Sequence, residues 1–130
     1  MRLRRRRVPP PPASYDDDGS LAVVVRAADP ARADSAVLAE AAAAGLDLTQ
    51  PMLVRHHLVL PDEAAASRAG DLLAQDGYRL TVVSAGPPVR VRAWRTQVLT
   101  AMSASQERSR MAGLAQRLGG DVDGWDACGP

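Results

Sequence analysis

Met52-Leu53-Val54-Arg55-His56-His57-Leu58-Val59-Leu60 is the stretch on which the fold turns. It is dominated by aliphatic side chains, it is stopped by Pro61, and it predicts a strand. Successive side chains of a strand point to opposite faces. Leu53, Arg55, His57 and Val59 therefore share one face, and Val54, His56, Leu58 and Leu60 share the other.

Working outward toward the C-terminus, Asp62 is placed to cap a helix. In that helix Ala65, Ala69, Leu72 and Leu73 recur with helical spacing as one buried stripe, and Gly77 closes it. Tyr78 to Ser84 reads as a second strand, and Ala85 to Pro88 forces a turn. Val89 to Arg95 (VRVRAWR) alternates apolar residues with arginine, as in a half-buried antiparallel strand. Thr100 caps a last helix to Leu118 with the stripe Ala104, Met111, Leu114, Ala115 and Leu118, which Gly119 and Gly120 stop. Asp121 to Ala127 reads as a short edge strand. Strand, helix, strand, strand, helix, strand is the split βαβ, ferredoxin-like order of an α+β fold. Its antiparallel sheet carries helices on one face. Arg90 and Arg92 look outward from the other, with Arg55 a further candidate.

Toward the N-terminus, Leu21 to Val25 predicts a strand and Pro30 to Ala44 a helix with Val37, Leu38 and Ala41 inward. The chain thus divides into a disordered tail over 1–20, a strand and helix extension over 21–51, and the ferredoxin-like domain over 52–130. The tail joins an arginine cluster (Arg2, Arg4, Arg5, Arg6, Arg7), the run Pro9 to Pro12 and the triplet Asp16 to Asp18, none of which buries apolar surface. It reads either as a solvated end or as a basic arm for RNA or a proline ligand.

All 16 basic residues are arginine, and lysine, isoleucine, phenylalanine and asparagine are absent, which points to a GC-rich coding bias rather than to phosphate recognition. Without residues 1–20 the body keeps eleven basic and twelve acidic residues, so a broad nucleic-acid face is not indicated. The one cysteine, Cys128, fits a reducing cytoplasm. No apolar run approaches a membrane span, and the basic start runs into prolines rather than the apolar core of an export signal.

Chemistry is sparse. His56 and His57 point to opposite faces and cannot share a metal. One is expected to pack near the core, hydrogen-bonded, and the other to sit wet, with a pH-sensing or partner-contact role as the rival reading. Asp121, Asp123 and Asp126 lack the spacing of a calcium loop and read as solvated acids. No nucleophile elbow, Walker sequence or dinucleotide fingerprint occurs. No catalytic residue, cofactor or metal is therefore expected.

The order of the pieces carries a resemblance. A helix ending in glycine is followed by Leu46, Asp47, Leu48 and Pro51. Then come Val54, His56 and Leu60-Pro61-Asp62, an alanine-rich helix closed by Gly77-Tyr78, and a last helix leading into Gly119-Gly120-Asp121-Val122-Asp123-Gly124-Trp125. From Val37 to Ala127 this resembles the regulator of ribonuclease activity B family, the ribonuclease E inhibitor B proteins. Their terminal signature is similar to GGEYDGW, with Asp121 here for a glutamate and Val122 for a tyrosine.

The resemblance implies a ferredoxin-like bacterial, cytoplasmic, non-enzymatic regulator of RNA turnover whose partner is a ribonuclease E-type endonuclease. His56, Asp123, Gly124 and Trp125 are its signature or partner-contact candidates. Gly124 suits a positive φ or close chain approach. Trp125 can cover the sheet and needs an acceptor for its indole N–H. Asp123 can cap the turn. A direct partner contact is the rival role. The alternative function is an RNA-binding accessory domain that uses the arginine arm.

Overall fold

The computed structural model describes residues 14–130; the arginine cluster Arg2 to Arg7 and the run Pro9 to Pro12 lie outside the described residues. The elements are β1 (Ala22–Ala27), α1 (Asp34–Ala43), β2 (Met52–Leu60), α2 (Glu63–Ala74), β3 (Arg79–Ser84), β4 (Val89–Gln97), α3 (Ala101–Arg117) and β5 (Asp121–Gly129). The strands form one open sheet in the order β1-β5-β2-β4-β3, every neighbouring pair antiparallel. The fold is α+β.

β2 is the spine of the sheet. It pairs with β4 without a break from Met52 opposite Gln97 to Leu60 opposite Val89, and with β5 along its other edge. Its alternation decides the layers. Met52, Val54, Leu58 and Leu60 join Val91, Ala93, Ala127 and the inward residues of all three helices in two buried clusters. One cluster sits under α2 and the body of α3, and the other under α1 and the start of α3. The helices therefore share one face and leave the other open.

Local signals place the helices. Asp62 accepts from Ala65 N at 2.8 Å at the start of α2. Thr100 and Ser103 exchange backbone-to-side-chain hydrogen bonds at 2.9 and 3.0 Å, a complete capping box that satisfies donors otherwise orphaned at the start of α3.

Two expectations need correction. The last strand is not at an edge: β5 lies between β1 and β2, because β1 supplies the pairing on its free side. Leu72 is exposed at 42 %, since the buried set Ala65, Ala66, Ala69 and Leu73 centres the stripe on Ala69 and leaves Leu72 at its margin. A third observation concerns residues 14–20, which the sequence groups with the tail. Tyr15 N donates to Thr96 Oγ1 at 2.8 Å, and Asp17 is held by Arg55 and Arg92, so this segment lies on the open sheet face.

Candidate functional site

The four residues expected to form a signature divide between the two faces. Trp125 and His56 stand opposite each other on β5 and β2, on the helix side, 2 % and 1 % exposed. The indole N–H of Trp125 donates to Asp34 Oδ1 at 3.1 Å, and Arg108 holds the same oxygen at 3.2 Å. The tryptophan thus ties β5 to the first turn of α1 and to α3. Gly124 has φ 85°, and a Cβ there would lie 2.5 Å from the Ala27 carbonyl oxygen, a distance real side chains do not reach. Only glycine lets β1 approach β5 this closely.

His56 departs from expectation. Neither ring nitrogen has a hydrogen-bond partner among the described residues. Its ring meets Tyr78 edge-on at 6.0 Å between centroids. Burial is the main reason its pKa falls to about 4, because the cation would be stranded in an apolar layer. Tyr78 in turn donates to Glu107 Oε2 at 2.7 Å, and Arg95 lies over its ring while reaching Glu107 Oε1 at 3.1 Å. Burial and that hydrogen bond raise the Tyr78 pKa, so the phenol stays protonated.

The open face carries the concentrated charge. Arg55 makes a two-pronged contact with Asp126, Nε to Oδ1 at 2.7 Å and a terminal nitrogen to Oδ2 at 2.9 Å. His57 Nε2 reaches the same Oδ2 at 2.8 Å. Burial pushes the Asp126 carboxyl up, but hydrogen bonds from His57 and Arg55 outweigh it and hold the pKa at about 2. The remaining terminal nitrogen of Arg55 donates to Asp17 Oδ1 at 3.0 Å, and Arg92 Nε donates to Asp17 Oδ2 at 2.7 Å. Asp17, with a side chain 1 % exposed, is sandwiched between two guanidinium groups. Beside this cluster a shallow groove of about 320 Å³ is lined by Arg26, Arg55, His57, Asp123, Trp125 and Asp126.

Asp123 is the exposed member of the signature. Its side chain is 72 % accessible and 3.8 Å from Arg90. No hydrogen bond from it to the turn backbone occurs among the described residues. The structure therefore buries Trp125 and His56 and packs Gly124 against β1, while Asp123 stays at the surface and lines the groove with Arg26, Arg55, His57 and Asp126. The reading of Asp126 as a solvated acid needs correction, since it is 3 % exposed and held by Arg55 and His57, and Asp17, grouped with the solvated tail, has its side chain covered as well. Asp126 follows Trp125 and so must face the opposite side of the sheet, a signal present in the strand alternation. Asp17 had no such signal, because an acidic triplet before a strand reads as solvent-facing.

The Arg55–Asp126–His57 group is an ion-pair network with no nucleophile in it. Cys128, next along β5, is buried, and burial raises its thiol pKa. Among the described residues no group of three histidine, cysteine, aspartate or glutamate side chains could hold a metal ion. Among them also, no helix is long and apolar enough to cross a membrane.

No curated protein and no solved structure matches the chain. The family model described as regulator of ribonuclease activity B matches residues 31–127, a span that includes β2, both histidines and the Asp123-Gly124-Trp125 element. On that match the chain belongs to the regulator of ribonuclease activity B family.

Proposed function

We propose that the chain is a non-enzymatic, cytoplasmic regulator that binds a ribonuclease E-type endonuclease and restrains RNA turnover by that contact. The observation that carries this reading is the family match over residues 31–127. The open sheet face supports it. Charged groups are paired there into a rigid, partly buried array, which suits recognition of a protein surface better than a diffuse phosphate-binding stripe.

We read residues 52–130 as a ferredoxin-like unit and 21–51 as an extension that adds β1 and α1. The order β5-β2-β4-β3 with antiparallel neighbours supports this, being the order that two interlocked split βαβ units produce. Within the signature we assign structural roles to His56, Gly124 and Trp125, from their burial and close packing, and a partner contact to Asp123, from its exposure.

Capture from lysate of the native cell with the tagged full chain tests the proposal. The expected result is recovery of a ribonuclease E-type endonuclease that survives digestion of the lysate's RNA. Recovery that disappears with the RNA would favour the alternative, an accessory domain using Arg2, Arg4, Arg5, Arg6 and Arg7.

A further inference from the structure

The Asp17 contact has the geometry of a bound ligand. The segment carrying it makes its polar contacts to the sheet through three residues: Tyr15 to Thr96, Asp16 to Arg79 at 3.9 Å, and Asp17 to Arg55 and Arg92. Arg55 is oriented beforehand by its two-pronged contact with Asp126, which leaves one terminal nitrogen aimed away from β5. Arg92, one strand over and opposite His57 on β4, aims its Nε at the same place. Two guanidinium groups held this way make a cradle for one carboxylate. Both oxygens of Asp17 are engaged and its side chain is almost wholly covered.

We propose that the Arg55–Arg92 pair is a receptor site for the aspartate or glutamate side chain of an acidic segment of a partner protein, occupied in cis by Asp17. Receptor and occupant differ in origin: Arg55 and Arg92 lie inside the family-matched residues, and Asp17 lies outside them. The surroundings set the partner's chemistry. Arg26, Arg79 and Arg90 lie on the same face as the pair, by their register opposite Asp126, Trp94 and Val59, and the five arginines outnumber the acids Asp121, Asp123 and Asp126 that share it. A run of acids on the incoming segment is therefore favoured, as it is in Asp16-Asp17-Asp18. An extended peptide fits better than RNA, because the occupant also anchors through a main-chain N–H, that of Tyr15. The segment over residues 14–20 thereby becomes a built-in competitor, and partner access depends on its release. This rests on the reading that the chain acts by binding a protein.

The test is a fluorescence-anisotropy titration of the labelled heptapeptide Ser14 to Ser20 against the full chain. A tethered competitor acts at an effective concentration of order a millimolar, so Asp17→Ala in the full chain should strengthen peptide binding by at least about tenfold. The gain should vanish when Arg92→Gln is added, and when the peptide's central aspartate is replaced by asparagine. Equal binding by the wild-type and Asp17→Ala chains would overturn the proposal, as would tighter binding of an oligouridylate than of the peptide. If Asp17→Ala lacks a cooperative melting transition, Asp17→Asn, which keeps the shape and removes the charge, carries the same comparison. No nuclease takes part, so this result stands apart from that of the lysate capture.

Discussion

Burying an imidazole with neither nitrogen bonded costs about 1–3 kcal/mol, and His56 is buried in that way at the centre of the sheet. Its pKa falls from 6.5 to about 4 on folding. Below pH 6.5 the unfolded chain takes up a proton that the folded chain refuses. Stability is therefore full above that pH and drains as pH falls to about 4, a loss of about 3 kcal/mol. His56→Leu should match or exceed the wild type at neutral pH, and its advantage should widen between pH 6.5 and 4 in paired thermal melts. An advantage that stays constant with pH would contradict the burial argument. Asp126 has the same sense over a lower window: with its pKa held at about 2, its contribution is full above the ordinary carboxylate value of 3.8 and is lost as pH falls toward 2. Trp125 is the other residue on which stability should turn. Trp125→Ala removes a buried aromatic and should cost about 3–5 kcal/mol, with binding lost only as a consequence. Trp125→Phe keeps a ring but gives up the bond to Asp34, and about 1–3 kcal/mol is expected. An unchanged melting temperature for Trp125→Ala alongside weakened binding would make the tryptophan a partner contact instead.

At the scale of elements, the β1–β5 seam is tightly constrained at Gly124. Gly124→Ala would drive a methyl into the Ala27 carbonyl and place a side chain at a left-handed φ. The cost should be about 1–3 kcal/mol at least and should fall first on β1. Hydrogen exchange should show β1 amides losing protection while β2 and β4 keep theirs. Uniform loss across the sheet would mean that β1 is not a separable edge. The legibility of these elements in the sequence follows the same physics. Met52 to Leu60 and Val89 to Arg95 declared themselves because one face is apolar and the other charged, and alternation records that difference directly. The position of β5 was not legible, since strand order depends on whether Leu21 to Val25 pairs outside it, and no local pattern encodes that choice. The exposed-face cluster was half legible. Arg55, His57 and Arg92 followed from alternation. Their acidic partners Asp17 and Asp126 come from distant positions that only the folded sheet brings together.

At the scale of the whole molecule, three helices seal one face of the sheet and a charged array occupies the other. The sealed face accounts for the burial of His56 and Trp125. The open face leaves surface for a partner, with Asp123 at its rim and Asp17 across its middle. On the proposed function the chain acts by occupancy, so its effect should follow complex formation in proportion to the fraction bound. The most direct measurement mixes the purified full chain with the purified ribonuclease E-type endonuclease of the same cell and follows cleavage of a single-stranded RNA as the chain is titrated. The account predicts that cleavage falls in step with formation of a chain–nuclease complex, and that the chain alone leaves the RNA unshifted at physiological salt. Undiminished cleavage with no complex would contradict it, as would binding of the RNA by the chain alone with an affinity that collapses as salt rises.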